Sequence, residues 1–144
     1  MWKNEVSIDI AAAPETVYRY LADFARHAEW SMSVTALEQI TPGQVGVGTE
    51  FKSSETLPQE FVSFAQITAL EAPTRVAWES TDHQVFRTNW EFEISPNAGG
   101  THLVQRVTFY PISSFGTEFL LIRKLQVEPE NIKSLNRIKA ILER

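Results

Sequence analysis

The apolar positions of this chain change period three times. From Trp2 to Ile10 they alternate, with Val6, Ile8 and Ile10 on one side and Ser7 and Asp9 on the other. That is the period of a half-buried strand. Pro14 then opens a short helix, because a proline's missing N–H has no partner in a first helical turn. Val17, Tyr20, Leu21 and Phe24 form its apolar face, and residues 22–29 continue as a second short helix or a bent extension ending near Trp30. Between Val34 and Tyr110 the period returns to two. The pattern predicts strands over residues 34–40, 49–55, 60–70, 75–80, 84–94 and 101–110. The clearest of these sets Phe86, Thr88, Trp90, Phe92 and Ile94 against Arg87, Asn89, Glu91 and Glu93. Residues 60–70 carry apolar side chains on both faces (Phe61 and Ile67; Val62, Phe64 and Leu70), which predicts a bulge. Turns are predicted at Thr41-Pro42-Gly43, Leu57-Pro58-Gln59, Ala72-Pro73-Thr74, Thr81-Asp82-His83 and from Pro96 to Gly100.

The last stretch, Ser114 to Arg144, has helical period. Phe119, Ile122, Leu125, Ile132, Leu135, Ile138 and Leu142 fall mostly three or four apart, with Arg123, Lys124, Glu130, Lys133, Arg137 and Lys139 between them. Ser113 or Ser114 can cap its start. Pro129 predicts a kink or break between Gln126 and Pro129, because an interior proline removes a hydrogen bond and clashes with the preceding turn. The half after the proline is then expected to clamp the sheet, and the half before it to form a wall or gate.

Consecutive strands joined by short turns make an antiparallel sheet. Alternation on one face only means that the sheet is covered on one side. The sequence therefore predicts an α+β fold: a curved sheet wrapped around its own C-terminal helix, with two short helices between the first two strands, as one domain over residues 1–144.

Composition narrows the function classes. Nine Phe and four Trp supply core and pocket area. A net charge of −5 argues against a nucleic-acid partner, which needs clustered Lys and Arg. The absence of cysteine excludes disulfides, thiol nucleophiles and thiolate metal sites. The N-terminus has no signal-like apolar run, and no run reaches membrane-spanning length, so no integral membrane association and a cytoplasmic location are expected. A homodimer is left open.

Several segments, in this order and spacing, resemble a known family: AAAPETVYRYLADFARHAEW, VGVGTEF, LEAPTRVAWES, NWEFEISPNAGGTHLVQRVTF and IKSLNRIKAILER. They resemble the polyketide cyclase/dehydrase group of the START-like (SRPBCC) superfamily over nearly the whole chain. The resemblance implies a helix-grip fold, a strongly bent seven-stranded antiparallel sheet around a long C-terminal helix, enclosing a cavity for an apolar ligand. It does not fix the chemistry, because carriers, receptors and cyclases share this fold.

Strand parity then sorts the candidate site. If Trp78 and Trp90 point inward, so do Ser80, Thr88, Gln105 and Val107, along with Phe86. Phe51 inward brings Ser53 and Glu55 to the same side. The ligand-binding set expected from the sequence is Trp30, Phe51, Trp78, Ser80, Phe86, Thr88, Trp90, Gln105 and Val107, with Phe115, Phe119 and Ile122 from the helix. Trp30 is open to two readings, pocket mouth or core plug. Glu55 is the only inward carboxylate, but its place at a strand end before Leu57-Pro58 predicts that it reaches water.

His27, His83 and His102 do not converge, so no metal site is expected. Arg106 and Tyr110 fall on the outer face. The Gly43–Gly48 loop lacks a phosphate-loop ending and reads as a flexible hairpin loop that could act as a lid. No catalytic residue and no cofactor are predicted. The expected partner is an apolar small molecule (a lipid, polyketide-like or aromatic compound). The alternative is a cyclase, dehydratase or isomerase working in the same cavity, with Glu55 or a rim histidine as base.

Overall fold

The computed structural model describes residues 1–56 and 59–144. The expected turn at Leu57-Pro58 lies outside the described residues. Seven strands, β1 (Trp2–Ile10), β2 (Val34–Gln39), β3 (Glu50–Glu55), β4 (Phe61–Glu71), β5 (Arg75–Thr81), β6 (Phe86–Asn97) and β7 (Gly100–Pro111), form one antiparallel sheet in the order β1-β7-β6-β5-β4-β3-β2. Two short helices, α1 (Pro14–Leu21) and α2 (His27–Trp30), follow β1 with a 3₁₀ turn at Phe24–Arg26 between them, and α3 (Ser114–Leu142) ends the fold. This is the helix-grip arrangement.

Alternation decides which face is covered. On β6 and β7 the buried side chains are Phe86, Thr88, Phe92 and Ile94, then Thr101, Leu103, Gln105, Val107 and Phe109. The opposite face carries charge. Arg106 bonds Glu5, Glu91 and Glu93, and Arg75 bonds Glu71 and Glu91. The bulge expected in β4 falls between Ile67 and Ala69, where Thr68 is the extra residue opposite the step from Trp78 to Ala77. A second irregularity lies between Val34 and Ala36 on β2. Bulges bend the strand that carries them and increase local twist, which lets the sheet curl around α3.

Helix α3 begins with Ser113, whose Oγ accepts from the Gly116 N–H at 3.0 Å. Its C-terminal half is strapped down by polar bonds. Lys139 Nζ donates to the Asp9 carbonyl at 2.7 Å, Ala11 N–H donates to Glu143 Oε2 at 2.8 Å, and Arg137 donates to the Ser31 carbonyl at 3.1 Å. The Met32 N–H donates to Ser134 Oγ at 3.1 Å, tying α3 to the residues after α2.

Two expectations for α3 need correction. It runs as one uninterrupted helix through Pro129, so the expected break is absent. The carbonyl that loses its donor there belongs to Leu125, a residue 81% exposed, where water can replace the missing N–H. The buried face also shares only Leu135 and Ile138 with the expected apolar stripe. It comprises Gly116, Leu120, Arg123, Val127, Asn131, Ser134, Leu135 and Ile138, while Ile122, Leu125 and Ile132 are exposed. The helix faces a cavity over part of its length, and a cavity wall does not require apolar residues as a packed core does.

Gly116 marks where α3 docks. A Cβ built there would collide with the Val85 carbonyl oxygen, which already accepts from the Ile112 N–H at 3.0 Å. Backbone cannot rotate away as a side chain can. Gly116→Ala is expected to cost about 1–3 kcal/mol in urea denaturation through this overpacking. An unchanged midpoint would show that the start of α3 does not rest on the β5–β6 connection.

Candidate functional site

The concave face of the sheet and α3 border a cavity of about 570 Å³. Register builds its back wall: Trp78 on β5 is paired with Trp90 on β6, and the two rings lie nearly parallel with centroids 6.1 Å apart. Trp30, at the end of α2, meets Phe92 edge-on at 5.3 Å and Trp78 at 6.4 Å. Phe86, Phe109, Phe115 and Phe119 line the part next to the start of α3. The Trp90 indole N–H donates to Ser80 Oγ at 3.1 Å, which fixes the ring and uses the hydroxyl.

Of the sequence-predicted site residues, Trp30, Trp78, Ser80, Phe86, Thr88, Trp90, Gln105, Phe115 and Phe119 line this cavity. Trp30 lines the cavity while packed into the core at 3% exposure. Three predicted residues lie elsewhere. Phe51 is buried beneath the wall, stacked on Phe24 at 5.4 Å. Val107 is sealed in a small cluster with Phe86, Phe109, Leu120 and Val127. Ile122 is 49% exposed on the outer side of α3. The residues of the Gly43–Gly48 loop do not line the cavity either. The loop is held by Gly48 N–H to the Ile67 carbonyl and by Gly46 N–H to Thr49 Oγ1.

The largest correction concerns charge. Glu55 does not simply reach water: it lines the cavity, accepting hydrogen bonds from Ser63 Oγ and, at 3.3 Å, from Ser33 Oγ. Burial pushes its carboxyl above the ordinary glutamate value; the hydrogen bonds and the nearby Arg123 charge act against that rise. Ser53 Oγ lies near enough to favour the ionised form, yet it makes no hydrogen bond of normal geometry.

Across from it on α3, Arg123 is buried and forms a paired contact with Glu130, Nη1 to Oε1 at 2.9 Å and Nη2 to Oε2 at 3.0 Å. Nη1 also donates to Gln126 Oε1 at 2.9 Å, and the guanidinium stands over the Phe109 ring. Asp82, at the β5–β6 connection, accepts backbone N–H bonds from Gln84, Val85 and Phe86 at 2.9, 2.7 and 3.3 Å.

His27 lines the cavity among Phe24, Trp30 and Trp78, its ring 4.3 Å from Trp30 and 5.1 Å from Trp78. Burial lowers its pKa to about 3, so it is neutral at physiological pH. His83 is exposed beside Phe64 and does not line the cavity. His102 pairs with Asp9 on the outer face. Among the described residues, no three His, Cys, Asp or Glu side chains cluster as metal ligands, and no helix is long and apolar enough to cross a membrane. Gln105 also lines the cavity at 2% exposure, and its Oε1 has no hydrogen-bond partner.

Comparison with known families is decisive at one level. The profile of the family described as polyketide cyclase/dehydrase and lipid transport matches residues 1–143. The chain belongs to this family. A search of curated protein sequences finds no significant match. Among solved structures, the Zhui aromatase/cyclase from Streptomyces sp. R1128 superposes with a TM-score of 0.82 at 16% identity, covering 99% of this chain and 94% of that one. Protein MLL2253 from Mesorhizobium loti gives 0.73 at 19% identity over 99% and 98% of the two chains. The di-domain aromatase/cyclase StfQ of the steffimycin biosynthetic pathway gives 0.73 at 17%, over 98% of this chain and 50% of that one. At these identities the likeness is one of fold.

In this member of the polyketide cyclase/dehydrase family, sequence reasoning missed Phe24, His27, Ser63, Arg123, Glu130 and Asn131 as cavity-lining residues. One signal was available. Gly116, Leu120, Arg123, Val127, Asn131 and Ser134 recur at three- and four-residue steps around a small residue and two aliphatic ones, and that stripe is the one turned inward. What the site can do chemically follows from its parts. It can strip water from an aromatic or aliphatic body, and it can offer hydroxyl, amide and carboxyl groups to that body's polar substituents.

Proposed function

We propose that this protein binds a small molecule with a mostly apolar body and hydroxyl or carbonyl substituents, held between the sheet and α3. The observation that carries this reading is the 570 Å³ cavity walled by Trp30, Trp78, Trp90, Phe86 and Phe119. A packed core fills such a space with side chains. The family, whose description joins polyketide chemistry with lipid transport, supports the same class of ligand. Binding draws on removal of apolar surface from water, at roughly 25 cal/mol per Å² before ordering costs. Calorimetric titration with naphthol is expected to give one site and a negative heat-capacity change. A heat-capacity change near zero, or no binding of any apolar aromatic, would overturn the reading.

One observation favours a catalytic version. Glu55 lines the cavity with its carboxyl raised above the usual glutamate range by burial, the direction that suits a carboxyl to proton transfer. The matching reaction is loss of water from a β-hydroxy ketone, in which the base takes the α-proton, the α-carbon pair forms the double bond and the hydroxyl leaves as water. The protonated base then returns that proton to the leaving hydroxyl, so the step balances. If Glu55 is that group, the wild-type protein accelerates dehydration of a β-hydroxy aryl ketone, followed by enone absorbance. Glu55→Gln would then slow it by about 100-fold. A wild-type rate equal to buffer would leave binding alone.

A further inference from the structure

The cavity's charges are unbalanced. Among the described residues, its lining holds three carboxyl side chains, Glu55, Asp82 and Glu130, and one guanidinium, Arg123. That guanidinium is already taken, because both terminal nitrogens of Arg123 donate to Glu130. Asp82 is turned to backbone N–H groups through Oδ1 and stands at the rim. His27, the other basic side chain on the wall, is neutral because it is buried among aromatic rings. The remaining polar groups that line the space are hydroxyls and amides: Ser33, Ser53, Ser63, Thr88, Gln105 and Asn131 among them. The amide oxygen of Gln105 has no partner, so a ligand hydroxyl has an acceptor there after a small turn of the amide.

We infer that the cavity selects uncharged ligands carrying hydroxyl groups and rejects anionic amphiphiles such as fatty-acid carboxylates. This rests on the small-molecule reading above and narrows its ligand class. A carboxylate entering the cavity would leave water for a wall whose cation is neutralised and whose free charges share its sign. Like charges a few ångströms apart in a partly desolvated site repel enough to shift affinity by about tenfold or more. A hydroxyl on the same apolar body meets no such penalty and finds acceptors.

The test uses one ring system with interchangeable substituents. Naphthalene, naphthol, naphthoate and naphthylmethylammonium, substituted at the same carbon, are titrated into the full-length protein near neutral pH by calorimetry or tryptophan quenching. Naphthol should bind most tightly of the neutral pair, naphthoate at least about tenfold more weakly than naphthol, and the cation no more weakly than naphthol. Glu55→Gln should narrow the naphthol-to-naphthoate gap by about threefold or more by removing one of the repelling charges. Should that variant fail to fold, the wild type supplies a second readout. With naphthalenesulfonate, which stays ionised, in place of naphthoate, the gap should close as the pH falls and Glu55 takes up its proton; Ser33 and Ser63 bond that carboxyl directly, and Arg123, Glu130 and Ser53 line the same cavity. Naphthoate binding within threefold of naphthol would overturn the charge inference while leaving the ligand site standing. Failure of naphthalene and naphthol to bind at all would overturn the small-molecule reading itself.

Discussion

Arg123→Ala should lower stability by about 3–5 kcal/mol, the range expected when one member of a buried ion pair is removed. The side chains of Arg123 and Glu130 are only 8% and 18% exposed, and the guanidinium meets both carboxylate oxygens. Without it, Glu130 would be left in the cavity wall with no counter-charge, and Glu55 would lose the positive charge that holds its carboxyl down. The loss would thus reach both sides of the cavity. The double substitution Arg123→Met with Glu130→Met removes both charges and should recover most of the stability. Urea denaturation near neutral pH checks the pair of variants. A single mutant as stable as wild type would mean that the pair is hydrated and not part of a closed wall.

The second large effect is a pH dependence centred on His27. Its folded-state pKa, about 3, lies far below the ordinary 6.5. Below about pH 6.5 the unfolded chain binds a proton that the folded chain refuses, so stability falls as pH falls through that window, at about 1.4 kcal/mol per pH unit. Glu55 acts with the opposite sign. Its folded carboxyl is raised, so its contribution is present at low pH and lost as pH rises through the folded value. The carboxyls of Glu91, Glu29 and Glu143, held below their usual range by hydrogen bonds and ion pairs, lose their contribution only at lower pH. His27→Phe isolates the histidine. Between about pH 6.5 and pH 5 the wild type should lose roughly 2 kcal/mol relative to this variant. Parallel stability curves for the two proteins would show that His27 is hydrated when folded.

These effects separate what the sequence carries from what the fold adds. The sheet was legible because Phe86 to Ile94 and Leu103 to Phe109 alternate against charged neighbours, and a period of two admits one register per face. The bulge near Ile67 was legible because apolar residues occurred on both faces of one strand. The polar half of the site was not. Parity placed Glu55 inward, but whether an inward carboxyl reaches water depends on Ser63 and Ser33, which come from β4 and from the α2–β2 connection. On α3 the hydrophobic period pointed to Ile122 and Leu125, whereas packing turned Arg123, Val127 and Asn131 inward. A helix that lines a cavity over part of its length is under no pressure to be apolar there, so hydrophobic periodicity alone does not mark that face. His27 was read as a helix residue, and its burial arises only when Trp30, Trp78 and Phe24 close around it.

The central claim is that an apolar ligand occupies the space between the sheet and α3. The four tryptophans report on it independently. Trp30, Trp78 and Trp90 line the cavity, whereas Trp2 packs on Phe109 at 5.8 Å and does not line it. Titrating naphthol into labelled protein and following the four indole N–H resonances, assigned through single Trp→Phe variants, tests the claim directly. The account predicts that the signals of Trp30, Trp78 and Trp90 move together and saturate at one equivalent while that of Trp2 stays in place. Movement of Trp2 alone, or of no indole at all while the protein binds the probe, would place the ligand elsewhere and contradict it.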